Sequence, residues 1–304
     1  MFMKAINDSS PARSSDDASV KEGGVVPEVA STFTTQLTWL MLREQNCLIR
    51  DKAALIGRFG ITIFINLLFG LIFYRAGDRD DSQQNFLYDH FGALTMVTIS
   101  SMFGAAQPTL LAFPEQRPIF LREYSTGTYN IVPYFLSKLA YEAPLAFMQT
   151  LTQWLVVYWL IGFQGSFLVL MLSGFALGLV SSSVAVLIGC SVTDIKTAAE
   201  FLPLVLVPQM LFAGFFVSTD QIPKYLRWAQ YLCSLKYAMN LQQIAEFSES
   251  ACSPGADEQC KTLLVKNDVD EDHVWFYILI LAVLFITFRV VGCYILMIKA
   301  TTVF

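Results

Sequence analysis

Apolar residues fall along this chain in long blocks, and the polar residues gather between them. Six blocks, 54–74, 91–113, 143–163, 167–192, 198–217 and 274–298, approach the roughly 20 apolar residues that a helix needs to cross a bilayer. Lipid cannot satisfy exposed backbone groups, so each block is expected to be a helix. The predicted fold class is an all-α integral membrane domain over 31–304, with six transmembrane helices. Ahead of the first block, Ser31–Lys52 predicts an amphipathic helix. Phe33, Leu37, Leu40, Met41, Leu48 and Ile49 approximate one face in steps of three and four, with Arg43, Glu44, Arg50 and Asp51 on the other. Such a helix is expected to lie along the membrane surface, although one packed on a soluble domain fits the stretch equally well. Residues 1–30 are rich in Ser, Asp, Gly and Pro without apolar periodicity, and are expected to be a disordered cytoplasmic linker. Before the last block, Gln221–Phe247 is too aromatic for a free loop and too interrupted by charge to span. It predicts external re-entrant or interfacial helices.

One stretch changes character along its length. Phe120–Leu145 starts polar, near Arg117, Arg122 and Glu123, turns at Gly127, and becomes a helix carrying Lys138 and Glu142. At Pro144 it enters an apolar block. A helix that begins in water and ends in lipid suits docking to a soluble partner. An ordinary loop with a snorkelling Lys and Glu has the same pattern. Short-loop cations set the orientation. Arg50, Lys52, Arg58, Arg117, Arg122, Lys196 and Lys299 lie on one side, against Arg75 and Arg79 on the other. Both termini and the Phe120 stretch are therefore expected in the cytoplasm, in a multi-pass protein of the plasma membrane or another cellular membrane.

Composition narrows the function classes. Of the 304 residues, 55% are hydrophobic and only 15% charged, where soluble domains carry roughly 25% charged. The net charge of −5 gives no sign of nucleic-acid binding. No catalytic triad or metal-ligating spacing is present, and the phosphate-cradling pattern G-x-x-x-x-G-K-[ST] is absent. The expectation is a non-enzyme with no cofactor of its own. Glu142 and Glu200 sit near the ends of their blocks, so ion-coupled transport is poorly supported. Arg289 is the one clear charge within a block; a gate or an anion contact is one reading, and a side chain snorkelling to the inner headgroups is the one expected. Cys252 and Cys260 fall in the outer segment, where an oxidising exterior would allow a disulfide; two free thiols are the alternative. Cys47, Cys190 and Cys293 are expected to be small apolar residues.

Several stretches, in order, resemble the transmembrane domain of the G subfamily of ABC transporters, the white and multidrug-resistance half-transporter type with an ABC-2 type membrane domain. Phe33, Gln36, Leu37 and Arg43 look like its connecting helix. Phe120-Leu-Arg-Glu-Tyr-Ser-Thr-Gly-Thr-Tyr129, Tyr134-Phe-Leu-Ser-Lys138, Glu142 and Pro144 look like its first intracellular loop and third helix. Phe212-Ala-Gly-Phe-Phe216, Ile222-Pro223, Trp228, Tyr231, Tyr237 and Glu246-Phe247 look like the end of its fifth helix and its external helices. The resemblance implies a homo- or heterodimer embedded in membrane lipid, with a cavity for lipophilic substrates on the two-fold axis. It implies cavity positions at Ile99, Ser100, Phe103, Val207 and Met210, and an apolar plug at Phe215 and Phe216. It also implies a coupling segment at Arg122, Glu123 and Tyr124 that touches a nucleotide-binding ATPase domain. If the segment docks, Glu123 is expected to pair with a base on that partner or with Arg43. ATP and Mg would sit on the partner domain, which in this family precedes the membrane domain; residues 1–30 look like the linker between them. The leading function is the permease portion of an ATP-driven exporter. The alternative is an ATPase-less regulatory or scaffolding subunit of a half-transporter dimer.

Overall fold

A computed structural model describes residues 32–76, 86–192, 194–214, 225–248, 257–267, 269–270 and 273–302. The linker 1–30, Phe215, Phe216 and Cys252 lie outside these residues. The regular elements described are all helical: α1 (Phe33–Arg50), α2 (Lys52–Ile72), α3 (Phe86–Ser125), α4 (Ile131–Ile161), α5 (Phe167–Ser191), α6 (Ile195–Phe212), a 3₁₀ turn (Arg227–Leu232), α7 (Ser234–Phe247), α8 (Asp257–Lys266) and α9 (Val274–Thr302). The chain is an all-α membrane protein.

Five of these helices contain segments long and apolar enough to cross a bilayer: Lys52–Ile72, Leu87–Pro114, Phe167–Ser191, Ile195–Phe212 and Val274–Ala300. The expected span 143–163 falls in α4. At 31 residues α4 is long enough, about 46 Å at 1.5 Å per residue. It is not among the five, however, and it carries Gln149, Thr150 and Gln153 buried across its middle. Those polar groups meet partners inside the bundle: Gln153 Nε2 donates to the Val97 carbonyl at 2.9 Å, and Gln149 reaches α2 and α3. The second block matches its expected span, with an apolar segment at Leu87–Pro114, and its helix continues unbroken to Ser125, past Pro108, Pro114 and Pro118.

The chain turns and caps follow local chemistry. Asp51 ends α1 and caps α2, its carboxylate accepting from the Ala54 N–H at 3.1 Å. Gly162 closes α4 at φ 79°, the left-handed conformation that glycine adopts freely, while the Phe163 N–H returns to the Tyr158 carbonyl at 3.2 Å. The linker to α5, residues 162–166, is five residues, so α4 and α5 run antiparallel as neighbours.

Burial ranks the helices. α5 has 61% of its most apolar window buried and α3 has 50%, against 17% for α2 and α6 and 22% for α9. α5 is therefore the hub, packing on α3, α9, α7 and α4. Small residues allow the close approaches, as is usual where lipid removes the hydrophobic drive between helices. A Cβ on Gly174 of α5 would lie 2.7 Å from Trp154 Nε1, and one on Gly70 of α2 would lie 2.6 Å from Leu160. α7, 14 residues long and about 21 Å, is too short to cross, yet almost all of it is buried against α3, α5 and α9.

α1 is oriented by its polar residues. Gln36, Leu40 and Glu44 turn inward, while Phe33, Trp39, Leu42 and Ile49 are exposed. The predicted apolar stripe packs only in part: Leu40 is buried, Leu37, Met41 and Leu48 are half-buried, and Phe33 and Ile49 are exposed.

Candidate functional site

At the polar end of the bundle, α1 is fastened to the turn joining α3 to α4. That turn exists because Gly127 takes φ 69° and its N–H returns to the Tyr124 carbonyl at 3.0 Å. Glu123, in the last turn of α3, accepts from Arg43 Nη1 at 2.6 Å and from the Tyr129 hydroxyl at 2.7 Å. Gln36 adds a second tie, its Oε1 accepting from the Asn130 N–H at 3.0 Å. Beneath these contacts lies an aromatic cluster: Phe120 stacks on Tyr124 at 5.8 Å and packs on Tyr134 at 4.5 Å, and Tyr129 stacks on Tyr134 at 5.9 Å. Burial, and then its hydrogen bond to Glu123, push the Tyr129 hydroxyl pKa up, so it remains a donor. For Arg43, burial favours losing the proton, but the Glu123 hydrogen bond and charge outweigh it and the pKa rises.

Of the expected coupling residues, the structure brings Arg43 and Glu123 together. It does not bring Arg122 or Tyr124 to that contact. Arg122 is on the exposed side of α3, and Tyr124 turns inward onto Phe120.

One turn further along α4 the charges are buried. Lys138 Nζ pairs with Glu44 Oε2 at 2.6 Å and donates to Gln116. Glu142 accepts from Thr109 Oγ1 at 2.7 Å and from Arg289 Nη2 at 2.5 Å. Arg289 Nε donates to Ser183 Oγ at 3.0 Å. The expectation that Arg289 snorkels to the headgroups is corrected here: the side chain is only 8% exposed and points into the bundle. The physical reason is a carboxylate on α4 within reach, 147 positions earlier in the chain. A guanidinium inside the bundle is stabilised by a partner carboxylate close at hand. Arg58 of α2 donates through Nε to Gln149 Oε1 at 2.5 Å, and Gln149 Nε2 donates to Thr62 Oγ1 and the Gly104 carbonyl, both at 3.0 Å. Sequence reasoning read Arg58 only as an orientation signal. The signal it missed was the pair Gln149 and Gln153, spaced four apart within an apolar block.

The expected cavity residues lie on two helices that pack together, α3 and α6. Ile99, Phe103 and Met210 are half-buried against the main core, as is Ser100, and Val207 faces outward with Leu204 and Leu211.

At the opposite end, His90 Nε2 meets Glu246 Oε1 at 2.7 Å, both residues buried. Glu246 also accepts from the Gln164 N–H at 2.8 Å and the Gly165 N–H at 2.9 Å, so one carboxylate ties α7 to α3 and to the α4–α5 linker. Cys260 is disulfide-bonded, and its expected partner Cys252 lies outside the described residues. Cys190 is a buried free thiol, Cys293 is half-buried and Cys47 is exposed.

The surface helix α1 is thus fastened to the α3–α4 turn at one end of a helical bundle, and the short buried helix α7 precedes the last span. A family profile for ABC-2 type transporters matches residues 35–247, and the chain belongs to that family. ABC transporter G family member 1 of Dictyostelium discoideum is 27% identical over 288 residues, which is 90% of this chain and 36% of that protein. The broad substrate specificity ATP-binding cassette transporter ABCG2 of Sus scrofa is 27% identical over 241 residues, 77% of this chain and 36% of that one. Protein white of Ceratitis capitata is 27% identical over 228 residues, 72% of this chain and 33% of the other. The chain thus spans about a third of the length of the relatives it matches.

Proposed function

We propose that this chain is the permease portion of an ATP-driven ABC exporter that moves lipophilic molecules or lipids. A nucleotide-binding domain binding ATP and Mg energises it, and two such membrane units form the transport pathway. The observation that carries this reading is the Arg43–Glu123 pair at 2.6 Å. It joins a surface helix to the exposed end of the longest membrane helix. A push on that turn from a soluble domain would be transmitted along α3, which also carries Ile99, Ser100 and Phe103. Outward-facing Val207 supports a substrate path completed by a second copy. Six spans, counting α4, with both termini cytoplasmic, fit the distribution of short-loop cations.

The test is transport in reconstituted membranes with the ATPase partner domain supplied. Glu123→Ala should insert and dimerise like the parent yet fail to couple ATP turnover to transport. Phe103→Ala should keep basal ATP turnover and lose apparent substrate affinity. Transport by Glu123→Ala at the parent rate would reduce the turn to an ordinary loop.

A further inference from the structure

A cavity of about 100 Å³ opens among α1, α2, α3, α4, α5 and α9, with Glu44, Arg58, Lys138, Glu142 and Arg289 among its lining. The charges around it do not cancel: three cations face two carboxylates. Lys138 is engaged by Glu44 and Gln116, and Arg289 gives Nη2 to Glu142 and Nε to Ser183. Arg58 has only the neutral Gln149 on its Nε. Two guanidinium nitrogens remain, Arg58 Nη2 and Arg289 Nη1, both buried and meeting no acceptor among the described residues. Burying a cation is costly unless an anion or a full set of acceptors accompanies it. A guanidinium edge is shaped for phosphate-type oxygens, and the cavity has room for several waters or one small oxyanion.

We propose that this cavity binds a phosphate-type oxyanion, with Arg58 as its principal cation and Arg289 Nη1 as a second donor. The group is either the headgroup phosphate of a membrane phospholipid or free inorganic phosphate. Arg58 lies within the first two turns of α2, and Glu44 belongs to the surface helix α1, so the cavity lies toward the polar end of the bundle. Occupancy completes the charge balance where α1, α2 and α4 meet.

The experiment uses the full chain purified in a neutral detergent. In one arm the unfolding temperature is followed as inorganic phosphate replaces chloride at constant ionic strength. In the other, native mass spectrometry measures retention of phosphatidic acid against diacylglycerol, which lacks the phosphate, from mixed micelles. A phosphate response without phosphatidic acid retention identifies the free anion; preferential phosphatidic acid retention identifies the headgroup. Arg58→Gln should weaken the response about tenfold or more, as expected for losing a charged hydrogen-bond partner. Gln149→Glu, which sets a carboxylate against Arg58, should also abolish it. This second variant decides the matter if Arg58→Gln does not fold. No response in either arm, or a response unchanged in Gln149→Glu, would overturn the proposal.

Discussion

Glu142→Gln removes the charge from one half of a buried pair and leaves the shape nearly unchanged. The parent carboxylate holds Arg289 Nη2 at 2.5 Å and Thr109 Oγ1 at 2.7 Å, and its side chain is 11% exposed. The substitution leaves Arg289 with neutral acceptors alone, the amide oxygen at 142 and the Ser183 and Ser182 hydroxyls. Breaking a buried pair by removing one partner costs about 3–5 kcal/mol, because the survivor is an uncompensated buried charge. Since two hydroxyls still face the guanidinium, the lower end, about 3 kcal/mol, is expected. Arg289→Met should cost a similar amount by stranding Glu142. The double variant Glu142→Met with Arg289→Met strands neither and should fall within about 1 kcal/mol of the parent, since an apolar replacement of both partners is often neutral. The assay is equilibrium unfolding in mixed micelles at increasing dodecyl sulfate, followed by tryptophan fluorescence; Trp154, fully buried, is a suitable reporter. With Glu142→Met as the second single variant beside Arg289→Met, the cycle isolates the pair energy. If the two single effects add within about 0.5 kcal/mol, the residues are independent and Arg289 reaches the headgroups after all.

Glu246→Gln should destabilise by about 1–3 kcal/mol, measured the same way, because three donors lose a charged acceptor. Gly165→Ala should lower the unfolding temperature markedly: its Cβ would lie 2.3 Å from the Ala245 carbonyl oxygen, a backbone atom that cannot swing aside. Gly174→Val should loosen the α4–α5 contact at Trp154 by about 1–3 kcal/mol, the usual range for overpacking, and shift the tryptophan emission. Arg43→Gln should reproduce the uncoupled phenotype of Glu123→Ala in the transport assay, and two unlike phenotypes would separate the residues. Non-reducing peptide mapping should recover Cys252 and Cys260 in one peptide, a closure contributing about 2–3 kcal/mol; free thiol at Cys260 would contradict the bonded state.

How much was legible beforehand depends on how local the cause is. The helices over 167–192 and 274–298 reappear as α5 and α9 almost unchanged, because hydropathy over some twenty residues, with lipid as solvent, leaves helix as the only satisfied backbone. The second block, 91–113, reappears as the apolar segment Leu87–Pro114 for the same reason, while α3 itself continues through Pro114 and Pro118 to Ser125. Its neighbours in the bundle hold what the missing hydrogen bonds weaken.

The sequence by itself determined that this is a helical membrane domain, where its apolar blocks lie, and which family it resembles; each is a property of short windows or of ordered motifs. It also brought Arg43 and Glu123 forward as possible partners through their charge and their places in two recognisable stretches. Only the tertiary structure decided that Tyr129 shares that carboxylate, that Arg289 turns to Glu142 rather than to the headgroups, and that Glu246 of α7 holds His90 and the α4–α5 linker together. Those partners lie 6, 147 and 156 positions apart. Which of them meet depends on the rotation and depth of packed helices, set by small-residue contacts such as Gly174 against Trp154, and no window of the chain encodes that geometry.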